Sequence, residues 1–412
     1  MEKKLLLSRL EAFDPEIYAF LQEEKQRQRY TLSLVPSVNA MSPFAAYLEG
    51  SILTNCVYDR HDETATGGLH LESIVQERTK EVFGCDHAIV RLGNIAAASR
   101  VVFHALLQPG DCVLSFNLRK QEHISGLSYV FENYGIDPAT QQIDWGEIRA
   151  HAERIRPRII IFSPVSFPRT IDYRILSEIA QSVDAYLWVD ISQTVGLIAA
   201  GLLPSPVMLA DVVTFSTGGS LRGPDGAILL CKNEIAARMD ETVVNTGRAA
   251  LHMNHLAALG VVLREATSEN FRRYGEQVLK NAEVLARALR DHGASVLCGG
   301  TDTHLVLASS AGNVDIVEAT NAISYMSVRV KRENVPTMNP GLFLHALRLS
   351  AFNPTTRSLK EEDMAYLGML LAKPLTQSLS PEEIAKARDE IIALVKDSPI
   401  FSEEWMGENP ET

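Results

Sequence analysis

The chain of 412 residues lacks several features that would assign it to a class at once. No stretch approaches the roughly 18 apolar residues of a membrane-spanning helix, and the first residues lack the apolar core and small-residue cleavage site of a secretory signal. The default prediction is therefore a cytoplasmic protein. The formal net charge of −12 argues against a nucleic-acid surface, because phosphate binding needs clustered Lys and Arg.

Cysteine is scarce as well. The five cysteines are odd in number and widely spaced, and they form no CxxC pair, so neither a disulfide framework nor a zinc site is suggested. We interpret them as buried free thiols. One loop, residues 59–70, carries Asp and His side chains, but its spacing fits no established metal site and favours solvated loop charges. No metal is predicted.

Short apolar runs recur between longer amphipathic segments. They occupy residues 87–92, 112–117, 158–164, 185–190, 211–217 and 226–231. Runs that are apolar at nearly every position are typical of parallel strands covered by helices on both faces. Intervening segments, such as 71–84 and 173–183, repeat apolar residues at helical spacing. The pattern predicts an α/β protein with a mostly parallel sheet sandwiched by helices.

A long amphipathic stretch at about 259–293 exceeds one ordinary helix and predicts a connection between two domains. We expect an N-terminal helical arm over residues 1–35, a large α/β domain over 36–275 and a smaller C-terminal α+β domain over 276–412. Near the end, Ser380 and Pro381 predict the start of a surface helix, because serine caps a helix and proline suits its first turn.

Nine sequence blocks follow one another in the order and with nearly the spacing of a known family. Among them are LSLVPSVNAMSP, GSILTN, HALLQPGD, SFNLRKQEHISG, ADVVTFSTGGSLRGPDGAILL and LRLSAFNPTTRSLKEEDM. Over most of its length the chain resembles serine hydroxymethyltransferase, a transferase of the fold-type-I aminotransferase-like superfamily. The resemblance implies the fold-type-I architecture and a homodimer whose active sites are shared between subunits.

The positions that bind covalent pyridoxal phosphate in that family are altered here. The Schiff-base lysine corresponds to Gly219 and its histidine neighbour to Gly218, and a glycine has no amine to form the covalent link. The other altered contacts are Asn94, Ile95 and Ala96 in the phosphate loop, Val165 near the ring oxygen and Gln193 under the ring. Because these scattered positions share one ligand, the resemblance predicts that covalent pyridoxal phosphate is absent.

Other positions of the family's active site are retained. Arg348 matches the arginine that clamps the substrate carboxylate by a bidentate pair, and Ser37 matches a partner-subunit serine that touches the same carboxylate. Asp190 matches the carboxylate that pairs with the pyridine nitrogen, and His123 matches the histidine stacked on the ring. Asp190 and His123 are therefore candidate catalytic residues. A surface salt bridge for Arg348 and a turn-capping role for Asp190 are the alternatives.

The folate side of the family's site is partly represented. Leu118 and Ile124 match the two leucines that flank the pterin, although packing alone would explain this apolar pair. Asp59 falls near the catalytic glutamate and is shorter by one methylene, which makes it a third candidate acid or base. Thr337 falls near an asparagine that contacts the pterin. The resemblance implies a tetrahydrofolate derivative as the candidate cofactor.

Three interpretations follow. The first is a transferase, independent of pyridoxal phosphate, that moves a hydroxymethyl, formyl or formimino group onto an amino-acid-like substrate by proximity and acid–base help. The second is a catalytically inactive protein that regulates or pairs with an active paralogue. The third is a noncovalent pyridoxal or pyridoxamine phosphate enzyme, which ranks last because the phosphate contacts are altered too.

Overall fold

The computed structural model describes residues 3–58, 66–116, 129–246, 251–312, 314–339 and 341–407. The helices in these ranges are α1 Lys3–Phe13, α2 Pro15–Tyr30, α3 Pro43–Glu49, α4 Thr66–Phe83, α5 Ile95–Leu106, α6 Trp145–Ile155, α7 Tyr173–Ser182, α8 Val195–Ala199, α9 Asn233–Thr246, α10 Met253–Glu265, α11 Glu269–Asp291, α12 Ile316–Tyr325, α13 Phe352–Thr356, α14 Glu361–Thr376 and α15 Pro381–Val395. None of these helices is both long enough and apolar enough to cross a membrane.

The strands in the same ranges are β1 Leu32–Ser33, β2 Val57–Tyr58, β3 His87–Leu92, β4 Cys112–Phe116, β5 Val130–Tyr134, β6 Ile159–Phe162, β7 Tyr186–Asp190, β8 Val212–Ser216, β9 Ala227–Cys231, β10 Leu251–His252, β11 Ser295–Val296, β12 Leu305–Ser309, β13 Val328–Arg329, β14 Lys331–Pro336 and β15 Phe343–Ser350. Single turns of 3-10 helix lie at Ile52–Asn55, Gly219–Leu221, Leu297–Gly299 and Glu403–Trp405. The six predicted strands all form, with ends within two residues of those predicted.

A seven-stranded sheet with the order β3-β9-β8-β7-β6-β4-β5 forms the centre of the molecule. Strands β8, β7, β6, β4 and β5 run parallel, whereas β9 is antiparallel to both of its neighbours. Alternate residues of β6 enter different apolar cores: Ile160 and Phe162 belong to one and Ile159 and Ile161 to the other. Both faces of the sheet are therefore covered, and the predicted α/β fold with a mostly parallel sheet is confirmed.

The predicted connection at 259–293 consists of two helices, α10 and α11, rather than one. The second begins because the Ser268 side chain caps it, accepting a hydrogen bond from the backbone N–H of Phe271 at 3.2 Å. The predicted domain boundary at residues 275 and 276 falls inside α11. At the C-terminus the predicted helix start is confirmed, since Ser380 and Glu383 form a reciprocal capping box at the start of α15.

A smaller antiparallel sheet follows, with the order β11-β12-β15-β14. Leu305, Leu307 and Ala346 on one of its faces join the core of the large sheet, whereas Val306 and Leu347 on the other face join a separate core. The N-terminal arm packs at this end, because β1 pairs with β13. Helix α2 of the arm has no buried residue. The small sheet therefore lies between the large domain and the arm.

Candidate functional site

Most of the predicted site residues lie at one edge of the seven-stranded sheet. Strands β6, β7 and β8 are parallel neighbours, and β3 runs in the same direction because it and β8 are both antiparallel to β9. The residues that end or follow these strands are Asn94, Ile95, Ala96, Val165, Asp190, Gln193, Gly218 and Gly219. Ligands of open α/β sheets bind outside the carboxyl ends of the strands, so this edge is the candidate site.

Gly219 begins the 3-10 turn that follows β8. Its φ of +56° lies in the left-handed region, where a side chain is disfavoured, although a Cβ there would meet nothing nearer than the Pro36 carbonyl oxygen at 3.9 Å. The turn ends at Arg222, a buried residue whose guanidinium lies 4.5 Å from the centre of the Tyr274 ring. A cation–π contact at Arg222 therefore holds the end of the loop in place. At Gly219 itself there is space for a side chain.

Asn94 caps the start of α5. Its side-chain oxygen accepts a hydrogen bond from the backbone N–H of Ala97 at 2.9 Å. The N-terminus of a helix is a natural phosphate site because its first N–H groups have no partner within the helix. Here the chain's own side chain takes one of those donors, and Ile95 and Ala96 add no hydroxyl.

Asp190 ends β7 and is buried. One carboxylate oxygen accepts from the backbone N–H of Ser192 at 3.1 Å, and the other accepts from the Thr214 hydroxyl at 2.8 Å. The contact with Ser192 is the geometry expected of a turn-capping aspartate. The contact with Thr214 fixes the carboxylate against β8, so this candidate catalytic group is held rigidly by the chain itself.

Arg348 lies on β15 and is buried, with 3% of its surface exposed. Its Nη1 donates to Glu333 Oε2 at 3.1 Å, and its Nη2 donates to Gln193 Oε1 at 3.1 Å. Glu333 lies on the neighbouring strand β14 and is also buried. Arg348 therefore joins the small sheet to the carboxyl edge of the large one through Gln193. The alternative of a surface salt bridge is wrong, because this ion pair lies in the interior.

One nitrogen of the Arg348 guanidinium has no hydrogen-bond partner among the described residues. Nη1 donates to Glu333 and Nη2 donates to Gln193, whereas Nε has no hydrogen-bond partner within the described ranges. Gln193 is partly exposed. A carboxylate binds arginine best through two parallel hydrogen bonds. Displacement of the Gln193 amide would present such a pair of donors, without disturbing Glu333.

His304 lies close to this arginine and is fully buried. Its ring stacks on Phe352 with 4.1 Å between ring centres, and neither ring nitrogen has a hydrogen-bond partner among the described residues. Burial, and to a lesser degree the positive charge of Arg348, lowers the pKa of His304 to about 3. The imidazole is therefore neutral at physiological pH. It borders a cavity of about 20 Å³ that Gln193 also lines, which is room for a single water.

Ser37 is exposed in the turn that follows β1, and this turn packs beside Gly219 of the same chain. The contact is made by Asn39, whose amide donates to the Gly219 carbonyl at 3.0 Å. Thr356 in turn donates to the Asn39 side-chain oxygen at 2.8 Å. The structure thus places Ser37 on the side of the site formed by Gly219.

Four predicted residues lie outside the described residues: Asp59, Leu118, His123 and Ile124. Thr337 is described, and its hydroxyl is engaged within its own turn, donating to the Leu342 carbonyl at 2.8 Å and accepting from the Asn339 N–H at 3.2 Å. It is held by the backbone of the β14–β15 connection rather than presented to a ligand. The folate side of the site therefore rests on residues that the structure does not describe.

Comparison with known proteins agrees with this arrangement. The family model of serine hydroxymethyltransferase matches residues 10–371. A serine hydroxymethyltransferase from Methanospirillum hungatei is 32% identical over 410 residues, an alignment that covers 96% of this chain and 99% of that protein. The chain belongs to the serine hydroxymethyltransferase family. Its fold is that of the fold-type-I superfamily to which the family belongs.

The family's pyridoxal phosphate does not fit the residues that this member presents. Gly219 offers no amine, and its backbone conformation is one that a lysine would adopt only with strain. At the phosphate loop the Ala97 N–H is already bound by Asn94. Neither the covalent link nor the hydroxyl donors of the family's cofactor site are supplied at these positions.

Glu333 is the residue of this site that the sequence prediction missed. The alternation along β14 was a signal that could have found it, because Glu333 lies two residues before buried Val335 and so faces the same side of the strand. A carboxylate at an inward strand position requires a partner, since a charge is costly to bury alone. Arg348 is that partner, on the neighbouring strand.

Proposed function

We propose that this member of the family is a group transferase that uses no covalently bound pyridoxal phosphate. Its substrate would be a small amino-acid-like carboxylate held by Arg348, and the carrier of the one-carbon group would be a tetrahydrofolate derivative. The observation that supports this most is the contrast between two positions of one site. Gly219 has no amine, whereas on Arg348 the Nη2 donates to Gln193 and the Nε has no hydrogen-bond partner among the described residues.

The chemistry proposed is transfer without an electron sink. Cleavage of the Cα–Cβ bond of serine by the family's usual route depends on pyridoxal phosphate, which supplies that sink. Moving a formyl, formimino or hydroxymethyl group from folate to an amine needs mainly proximity and a proton donor or acceptor. Asp59 and His123 remain the candidates for that acid and base, and Asp190 would act by holding the loop after β7 in place.

Glu333 limits the net charge that the proposed substrate can carry. It brings one negative charge against the single positive charge of Arg348, so the buried pair is neutral before any ligand arrives. A dicarboxylate would add net negative charge to this poorly solvated site. A zwitterion, such as a neutral amino acid, adds none, and its ammonium group is attracted to Glu333. We therefore propose a neutral amino acid, with glycine as the simplest probe.

The cofactor part of the proposal is tested by incubating the purified protein with pyridoxal phosphate and recording its absorbance spectrum. We expect no aldimine band and no adduct after borohydride reduction, because no amine stands at position 219. A stable adduct at a lysine of this site, located by peptide mass spectrometry, would refute this part.

The substrate part is tested by calorimetry with glycine. We expect saturable binding to the wild-type protein and at least a tenfold loss in Arg348→Lys, which keeps the charge opposite Glu333 but lacks the bidentate fork. Circular dichroism checks that the variant is folded. Equal binding by the two proteins would contradict the carboxylate role of Arg348.

A second candidate is a binding protein without catalytic activity that regulates or pairs with an active paralogue. The observation in its favour is that Arg348 is already hydrogen-bonded by Glu333 and Gln193, as in a site that serves only structure. One measurement, product formation by the purified protein, distinguishes the two candidate functions. Product formation from glycine and a formyl- or methylene-tetrahydrofolate by the purified protein favours the transferase, and binding without turnover favours the second candidate.

We further propose a homodimer in the cytoplasm. The N-terminal arm exposes apolar side chains that a second subunit would cover, namely Leu5, Leu6, Phe13, Ile17, Phe20 and Leu21. The five cysteines are unpaired, which suits a reducing compartment. Sedimentation equilibrium of the wild-type protein and of Phe13→Ser/Phe20→Ser tests the dimer. A wild-type monomer at micromolar concentration would exclude it.

A further inference from the structure

A second polar cavity lies away from the carboxyl edge, where the N-terminal arm meets the small domain. Its volume is about 210 Å³, many times the roughly 10–15 Å³ that one water requires. The side chains that line it include three arginines, Arg27 from helix α2, Arg329 from β13 and Arg357 just after α13. Three positive groups around one cavity suggest an anionic occupant.

Arg357 lines the buried side of this cavity, and 1% of its surface is exposed. Its four Nη hydrogen bonds go to backbone carbonyls, three in residues 28–31 at the end of α2 and one at Val395, the last residue of α15. No carboxylate of the described residues pairs with it. Burial lowers its pKa to about 10, which leaves it charged at neutral pH. Helix C-termini offset part of that charge.

The other two arginines stand at the more open side. Arg27 forms a bidentate pair with Glu24, at 2.6 Å for both contacts. Arg329 is exposed and makes no salt bridge within the part of the chain that the structure describes. It is nevertheless close to Glu24, whose pKa falls to about 2 chiefly through the Arg27 hydrogen bond, with Arg329 a minor contributor. Three positive charges thus face one negative charge.

Two of the side chains that line this cavity each contain one buried polar atom without a hydrogen-bond partner among the described residues. These atoms are the Nε of Arg357 and the Oγ of Ser33, a residue with 7% of its surface exposed. Buried donors without partners cost free energy, so such groups normally have a protein, water or ligand partner. The Arg357 Nε–H can only donate, whereas the Ser33 hydroxyl both donates and accepts. The three arginines around the cavity, set against the single carboxylate of Glu24, point to an oxyanion rather than a cation.

We propose that this cavity binds a small oxyanion, a phosphate or carboxylate group, which joins the arm to the body of the protein. The anion accepts from the exposed guanidinium of Arg329, with the positive charges of Arg27 and Arg357 close by. Helix α2 buries no residue of its own. Its attachment therefore depends on polar contacts such as Arg29 Nε with the Lys396 carbonyl at 3.1 Å, and an anion beneath it would add to them.

This site is separate from the one at Arg348 and does not depend on the proposed function. Asn39 is the residue that belongs to both regions, since it lines the cavity and donates to the carbonyl of Gly219. Binding of an anion is therefore measured in the absence of any amino acid or folate, so that failure of one proposal is distinguishable from failure of the other.

The test is calorimetric titration of the full chain with inorganic phosphate, at constant ionic strength set by sodium chloride, and in parallel with succinate. A constant ionic strength matters because exposed arginines attract any anion weakly. We expect saturable binding of phosphate, succinate or both, with the stronger ligand identifying the chemical class. No saturable binding of either anion overturns the proposal.

Variants locate the site. Arg329→Gln is expected to weaken binding about tenfold, as the loss of one charge-assisted hydrogen bond predicts. The matched control is Arg332→Gln, which removes the same charge from an exposed position on β14 outside the cavity. Phosphate is also expected to slow tryptic cleavage of the arm in the wild-type protein and not in Arg329→Gln. Equal weakening by Arg329→Gln and Arg332→Gln would show that the anion binds elsewhere.

Discussion

Two buried arginines of the small domain stand nine positions apart in the chain and have different surroundings. Arg348 has a carboxylate, Glu333, on one side and the amide of a partly exposed glutamine on the other. Arg357 has four backbone carbonyls at the ends of two helices. Burial lowers the pKa of both. The burial of an arginine therefore does not reveal its role, whereas the nature of its partners does.

The hydrogen-bond partners of the two arginines differ in how easily a ligand can replace them. A carbonyl at a helix end is fixed by the helix, so the contacts of Arg357 are fixed and serve to join α2 to α15. A glutamine side chain rotates readily, so the Gln193 contact of Arg348 is replaceable by a ligand. Under the proposed function, Arg357 serves structure and Arg348 binds the substrate carboxylate, so the chain would use two buried guanidinium groups in two ways.

The largest effect is expected at Arg357. Arg357→Gln removes four buried hydrogen bonds to backbone carbonyls, and we expect it to lower the free energy of unfolding by about 4 kcal/mol. Arg357→Lys is expected to recover little, because an ammonium group cannot span carbonyls from two helices. Urea unfolding followed by fluorescence measures both changes.

Arg332→Gln serves as the control for Arg357 and is expected to change the unfolding free energy by no more than about 0.5 kcal/mol, as is usual at exposed positions. If Arg357→Gln were as mild as this control, the four carbonyl contacts would contribute little. The contrast between a structural and a binding arginine would then have to be abandoned.

Much of the fold could be predicted from the sequence. The six strands were predictable because a parallel sheet buried on both faces leaves apolar runs that hardly depend on context, and Ile159–Phe162 is such a run. The helix start at Ser380 was predictable because capping is a local interaction. The break at Ala266–Ser268 was missed, since amphipathic spacing continues across it and only the Ser268 cap marks the new helix.

The candidate site was predictable only in part. The glycine at position 219, where the resemblance places the family's lysine, is visible in the sequence because the identity of a residue needs no geometry. The pairing of Arg348 with Glu333 depends on the register of β14 against β15, where Lys331 lies opposite Arg348, and register is a property of the folded sheet. The cavity at Arg357 joins residues more than 300 positions apart, so no local pattern indicates it.

The second prediction concerns Glu333. Glu333→Gln leaves the Arg348 charge buried without a counter-ion, and we expect a loss of about 3 kcal/mol in the free energy of unfolding. A bound carboxylate would replace the missing charge, so glycine or acetate is expected to restore part of this stability in the variant. The affinity for acetate is expected to rise about tenfold over that of the wild-type protein.

Glu318→Gln is the matched control for Glu333, since it removes the same charge from an exposed position of the same domain. It is expected to change neither stability nor acetate affinity. Should acetate bind Glu333→Gln no better than the wild-type protein, the edge of Arg348 facing Gln193 would not be a carboxylate site, and both buried arginines would be structural.

The smallest effect is expected at His304, the neutral neighbour of Arg348. Its pKa is about 3 in the folded protein against 6.5 for the free side chain, so between these values the unfolded chain binds the proton and the native protein does not. Stability therefore falls as the pH drops below 6.5. At pH 5 the loss is about 2 kcal/mol, from about 1.4 kcal/mol for each pH unit below 6.5.

His304→Phe keeps the stacking on Phe352 and removes the titrating group, and the small cavity beside position 304 gives the larger ring some room. We expect the variant to lose about 2 kcal/mol less than the wild-type protein between pH 7.5 and pH 5, measured by urea unfolding. The matched control is His345→Gln, which removes an imidazole from an exposed position of the small sheet and leaves His304 in place. An unchanged pH dependence in His304→Phe would mean that the imidazole accepts a proton in the folded state, which its burial beside the positively charged Arg348 opposes.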